Sequence, residues 1–252
     1  KTLLTFNHCM SKKVINQNTN YDTELLNSIG SKFIFDNNPI NRFGGEKVTF
    51  AKNHTREKIN KDQELSELKK QINLIDDCSL KNNSKNIVLG NGNINSPVML
   101  IGEAPSAEED QTGGVFLGAV GTLLKKMLIS INIKKESIYC TYAVNFRPPE
   151  DRKPNTAEIK RYAVFLQRHI SIIRPKMIIL MGSTAMESLT GLNRKISNER
   201  GKWKEVIIKN TSYNVIITFS PSYLLRVPEN KKYSWEDLKK IKQKILDLKL
   251  NI

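Results

Sequence analysis

Ser96-Pro97-Val98-Met99-Leu100-Ile101-Gly102-Glu103-Ala104-Pro105-Ser106 is the stretch on which the fold turns. An apolar run with no polar alternation reads as a strand buried on both faces. It ends at Gly102, and a short turn sequence follows. Three further segments repeat the design: Tyr139 to Val144, Leu180-Met181-Gly182, and Thr218-Phe219-Ser220-Pro221-Ser222-Tyr223-Leu224-Leu225-Arg226. Each follows or ends an apolar, β-rich run. In an open parallel sheet such strand ends line one edge, where ligands bind. The four loops are therefore expected to build one crevice.

Helical patterns separate these strands. Gly113, Gly114, Gly118 and Gly121 punctuate the loop after the first strand, and a helix is expected from Gly121 to Ile131. Asn155 is placed to cap the next helix, with Glu158 reaching back from its first turn. That helix carries Ile159, Tyr162, Ala163, Leu166, Ile170 and Ile173 on one stripe. Ser183 is placed to cap a short helix through Leu189. Ser234, with Asp237 three residues on, is expected to open the last one. Strands alternating with helices predict a parallel α/β sandwich with right-handed crossovers.

The chain has 252 residues, with 40 Lys and Arg against 25 Asp and Glu, a net charge of +15. That balance favours a polyanionic partner, above all nucleic acid; a solvated basic surface is the plain alternative. Cys9, Cys78 and Cys140 form no metal-binding spacing, and they fit a reducing, cytoplasmic setting. No stretch is long and apolar enough to span a membrane, and Lys1 to Phe6 is too short a run for a signal peptide. Residues 1–70 read as a helical, partly flexible extension. It holds a possible helix over 23–34, a turn at Asn37-Asn38-Pro39 and a linker over 43–63. Glu64 to Ile75 shows a helical stripe, and residues 71–252 read as the main domain.

From residue 71 to 249 the chain resembles the family 4 uracil-DNA glycosylases, in the form found in alphaproteobacteria. The matching text is long and in order: Cys78-Ser79-Leu80-Lys81, Gly102-Glu103-Ala104-Pro105, Glu109-Asp110, Val115-Phe116-Leu117-Gly118, Arg147-Pro148-Pro149, Arg152-Lys153-Pro154, Arg200-Gly201, Pro221-Ser222-Tyr223-Leu224-Leu225-Arg226 and Asp237-Leu238. The resemblance implies a three-layer α/β/α sandwich with a central four-stranded parallel sheet. It implies hydrolysis of the bond between uracil and deoxyribose after the base leaves the stack. The departing uracil then carries negative charge and the sugar becomes cation-like.

On that resemblance, the catalytic residues are Glu103, Ala104, Asp110 and Ser220. The backbone at Glu103 and Ala104 would face the uracil carbonyl. The Glu109-Asp110 pair would hold water or lie toward a phosphate; the alternative is an exposed acidic turn. Gly102, Ser106, Phe116 and Tyr142 would surround the base, with Phe116 stacked on its face or else simply in the core. Arg147, Arg152, Lys153, Ser222 and Arg226 would meet DNA phosphates, or else form a solvated face. Leu224 would be the wedge that enters the duplex, or else ordinary packing.

Several positions depart from the family pattern. The family places His where this chain has Ser220. It places Asn, which pairs with the uracil edge, where this chain has Tyr142, a larger side chain able to fill the base slot outright. Asn145 lies three residues on and is expected to point to the other face. Ser106 replaces a glycine. The four cysteines that hold a 4Fe-4S cluster in many relatives correspond here to Ile75, Cys78, Phe146 and Tyr162. One thiolate cannot hold a cubane, so no cofactor is expected.

The reading is a monomeric glycosylase that acts on uracil in single- or double-stranded DNA during base-excision repair, with activity impaired by Tyr142 and Ser220. The alternative is a catalytically inactive DNA-binding protein of the same fold. A nucleotide-binding module is disfavoured, because the Gly113 to Gly121 loop has neither dinucleotide nor P-loop spacing.

Overall fold

Apolar strands without alternation need cover on both faces, and helices supply it here. The computed structural model describes residues 60–76 and 78–252. The expected helix over 23–34, the turn at 37–39, most of the 43–63 linker and Cys9 lie outside them.

The first helix, α1 (Lys61–Asn73), buries Leu65, Leu68 and Ile72, and Lys61 Nζ donates to the carbonyls of Ile94 and Ile173 at 2.9 Å each. This helix, earlier than the expected domain boundary at residue 71, is thus part of the packed body. After α2 (Ser79–Asn82) come β1 (Gly90–Gly92), β2 (Val98–Gly102), α3 (Ala107–Thr112), α4 (Gly118–Ile129) and β3 (Tyr139–Tyr142). Then follow α5 (Thr156–Ile173), β4 (Met177–Met181), α6 (Ser183–Thr190), α7 (Ile196–Glu199), β5 (Trp203–Ile208), β6 (Thr211–Thr218), α8 (Pro221–Arg226) and α9 (Lys231–Asp247). The α5 cap is as expected: Glu158 N donates to Asn155 Oδ1 at 2.8 Å and Asn155 N to Glu158 Oε2 at 2.8 Å.

The sheet order is β1-β3-β2-β4-β6-β5. Its four central strands are parallel, as expected from the α/β alternation. The two edges are antiparallel additions that the sequence pattern did not bring out. One, β1, is a three-residue Gly-Asn-Gly piece with no apolar signal. The other, β5, forms a hairpin with β6 through Lys209 and Asn210, both at positive φ (45° and 64°), the conformation that suits the twist of a two-residue hairpin.

Side chains of successive strand residues go to opposite faces. Met99, Ile101, Ile178, Leu180, Val215 and Ile217 pack on one side with α1, α5 and α6. Val98, Leu100, Met177, Ile179, Met181 and Ile216 pack on the other with α4 and α9. The chain leaves β2 for β3 on one side and then crosses to β4 on the other. The crevice between the ends of β2 and β4 is therefore the topological switch point, where an open sheet leaves room for a ligand.

Candidate active site

At that switch point lies a cavity of about 320 Å³, walled by the loop after β2, residues 148–154, the start of α6 and the β6–α8 turn. Of the residues singled out from sequence, Glu103, Ala104, Ser106, Arg152, Lys153, Ser220, Ser222 and Arg226 line it together. Gly102, Asp110, Phe116, Tyr142, Arg147 and Leu224 are not among its lining residues.

Glu103 reaches across to the next strand end. Its Oε1 accepts from Thr184 N at 3.1 Å and from Ser183 Oγ at 3.3 Å. The carboxylate so caps α6, the role expected of Ser183, and it sits at the positive end of that helix. Gly182, at φ 104°, makes room for it: a Cβ there would lie 2.2 Å from Glu103 Cδ. Thr184 Oγ1 is buried without a partner beside the cavity. The roles of Gly182 and Thr184 were missed from sequence, because a cap contributed by a residue 81 positions away leaves no local signal.

Ser220 is 5% exposed. Its Oγ accepts from Tyr223 N at 3.3 Å, capping α8, and lies 3.1 Å from Ser222 Oγ. Behind this turn a buried network fixes the strand end. Asp237 accepts from Thr218 Oγ1 at 2.8 Å and from Arg200 Nε at 2.9 Å, and the Arg200 guanidinium lies 5.8 Å from the Phe219 ring centroid. Burial raises the Asp237 carboxyl above its usual range, against the pull of Thr218 and Arg200. Ser234, expected as a cap, is instead buried inside α9.

Phe116 and Tyr142 meet beneath the β2 loop, with ring centroids 4.8 Å apart at 40°. Both are 3% exposed. The Tyr142 hydroxyl donates to Glu109 Oε1 at 2.6 Å and accepts from Phe116 N at 3.0 Å. Burial and then the Glu109 carboxylate keep its pKa well above the usual phenol value. Gly102 is obligatory at this point, since a Cβ would sit 2.7 Å from both Phe116 Cζ and Tyr142 Cδ1. Glu109 also accepts from Ser106 N at 2.7 Å and Leu117 N at 2.9 Å.

Three expectations need correction. The Glu109-Asp110 pair is neither an exposed turn nor a pair of cavity groups: both residues are 3% exposed. Asp110 Oδ1 accepts from Lys85 N at 2.9 Å and Asn86 N at 3.1 Å, so it secures a neighbouring loop. Leu224 is 1% exposed and packs in the core, whereas Leu225 is 40% exposed; one helical step separates an inward from an outward position. Arg147 pairs with Asp151 at 2.7 Å, while Arg152 pairs with Glu158 at 2.6 Å. Among the described residues, Lys153 and Arg226 line the cavity without a carboxylate partner. Asn145, on the other face, donates to the Val88 carbonyl at 3.0 Å.

The residues matching the relatives' cluster ligands form a piece of core. Cys78 Sγ lies 3.2 Å from Tyr162 Oη, and the Phe146 and Tyr162 rings meet edge-on at 6.3 Å. Ile75 packs against the same cluster. Burial opposes ionisation of Cys78, but the Tyr162 hydrogen bond and nearby backbone donors bring the thiol below its ordinary pKa. One thiol, one phenol and two hydrocarbons do not fit a 4Fe-4S cluster.

A family model of the uracil DNA glycosylase superfamily matches residues 89–241. The chain is 36% identical over 168 residues to the type-4 uracil-DNA glycosylase of Thermotoga maritima, covering 66% of this chain and 86% of that protein. It is 33% identical over 169 residues to that of Pyrobaculum aerophilum, covering 66% and 86% of the two chains. Against that of Archaeoglobus fulgidus it is 32% identical over 183 residues, covering 71% of this chain and 92% of the relative. On the parallel sheet, the switch-point cavity and this likeness together, the chain belongs to the uracil-DNA glycosylase superfamily, in its type 4 branch.

Proposed function

We propose that this chain is a DNA N-glycosylase that hydrolyses the bond between uracil and deoxyribose in single- or double-stranded DNA, as a step of base-excision repair. The observation that carries the reading is the placement of the Glu103 carboxylate and the Ser220 hydroxyl in one cavity with Lys153 and Arg226. A carboxylate beside the sugar favours its cation-like transition state and holds the attacking water. A hydroxyl donor beside the leaving base stabilises its developing negative charge. Lys153, Arg226 and Ser222 meet the phosphates on either side, positioning the strand without reading its sequence. Free thiols at Cys78 and Cys140 suit a reducing cytoplasm, and among the described residues no helix is long and apolar enough to cross a membrane.

One observation favours a second reading, a DNA-binding protein that does not turn over: Tyr142 lies on the face of Phe116 where the base would stack. Incubation with uracil-containing oligonucleotides, followed by alkaline scission at abasic sites, separates the two. The glycosylase reading expects slow uracil release, on the order of 10²–10³ below a relative that carries histidine at the Ser220 position. Absence of release from the native chain, with recovery in the Tyr142→Asn, Ser220→His double variant, would establish the second reading in its place.

A further inference from the structure

The Phe116 ring offers one face to the interior of the site, and Tyr142 covers it. The covering is not a loose contact. The two rings lie 4.8 Å apart, and the Tyr142 hydroxyl is held from two sides, by Glu109 Oε1 at 2.6 Å and Phe116 N at 3.0 Å. Glu109 is itself tied by Ser106 N and Leu117 N, so the acceptor cannot follow the phenol outward. Gly102 closes the third side, with no space for even a methyl group between it and the two rings. A base that stacked on Phe116 would have to expel Tyr142 and break two buried hydrogen bonds.

The neighbouring cavity makes no such demand. Its lining offers cations and hydroxyls, from Lys153, Arg226, Ser220 and Ser222, and the Glu103 carboxylate. These groups match a sugar hydroxyl and its flanking phosphates, and none of them is an aromatic platform for a base. We infer that the resting site is complementary to an extruded deoxyribose that has lost its base, an abasic site in DNA, and that Tyr142 is the residue that sets this preference by standing in for the missing base. The inference rests on the glycosylase reading for its DNA-facing cavity. It adds that the chain holds the product of the reaction more tightly than the substrate and shields it until the next repair step, which must cleave or rebuild the abasic strand.

Fluorescence anisotropy with three labelled single-stranded oligonucleotides tests this on the full chain. One carries a tetrahydrofuran abasic analogue, one a 2′-fluoro-2′-deoxyuridine that resists hydrolysis, and one only normal bases. The abasic strand is expected to bind at least about tenfold more tightly than either of the others. Tyr142→Ala should narrow the gap between the abasic and fluorouridine strands by opening the slot. Tyr142→Phe, which keeps the ring and removes one hydroxyl, should retain most of the preference and guards against a folding defect in the alanine variant. Equal binding of all three strands by the native chain, or a preference that survives unchanged in Tyr142→Ala, would overturn the inference and leave the DNA-binding reading standing. Failure to bind any strand at about 50 mM salt, where phosphate contacts are strong, would overturn both.

Discussion

The Tyr142 hydroxyl donates to Glu109 Oε1 across 2.6 Å, entirely inside the protein. Glu109 receives two backbone N–H groups as well, from Ser106 and Leu117. One carboxylate thus ties the β2 loop, the turn that carries Phe116 and the end of β3 into a single unit.

Glu109→Ala removes the acceptor from three donors at once. A buried donor left without a partner costs about 1–3 kcal/mol. The variant should lose at least about 3 kcal/mol of stability in urea unfolding. Glu109→Gln keeps a carbonyl acceptor and should lose less. Equal, small losses in both would mean that Glu109 is not the tie.

Ser220→His alone should change uracil release little, because Tyr142 still covers Phe116. Combined with Tyr142→Asn it should raise the single-turnover rate by about 10²–10³, the usual worth of one donor aimed at developing charge. Histidine also gives up the Ser220 cap on α8, at a cost of about 1 kcal/mol. A full gain from Ser220→His alone would show that Tyr142 is no barrier.

Leu224 and Leu225 should separate cleanly. Leu224→Ala opens a core cavity and should cost about 2–5 kcal/mol. Leu225→Ala, at an exposed position, should stay within about 0.5 kcal/mol of the native chain. It should nonetheless slow uracil release from duplex DNA more than from single strands, because only a duplex needs a wedge. Matched losses on both substrates would remove Leu225 from that role.

His169 predicts an acid limit to stability. It is buried, its Nε2 lies 2.9 Å from Tyr139 Oη, and burial lowers its pKa to about 3. The burial-raised Tyr139 phenol keeps its proton and donates to the neutral ring. Unfolded chains take up a proton below about pH 6.5, and the folded chain does not until far lower. Stability from this group is therefore complete above that pH and falls as the solution is acidified, by about 2 kcal/mol at pH 5. Urea titrations at pH 7 and pH 5 should show the drop, and His169→Gln should flatten it.

The sheet was legible where strands are buried on both faces: Met177–Met181 has the bounds that its apolar run suggested. The edges were not. Gly90–Gly92 carries no apolar residue, and the Lys209-Asn210 turn is polar but lacks glycine. The convergence of Glu103, Ser220 and the basic loop at one cavity follows from their places at strand ends. The destinations of Asp110 and Leu224 do not, because burial of a given side chain depends on what packs beside it.

By itself the sequence determined the α/β alternation, the four parallel strands and the family, since these rest on local hydrophobic pattern and on motifs read in order. It also marked Tyr142 and Ser220 as departures. Only the tertiary structure decided what those departures do. The Tyr142 ring reaches Phe116, and its hydroxyl reaches Glu109, through contacts between residues 26 and 33 positions apart. Pairings of that range leave no periodic trace in a chain, because they are set by the angle at which helices and loops settle on the sheet.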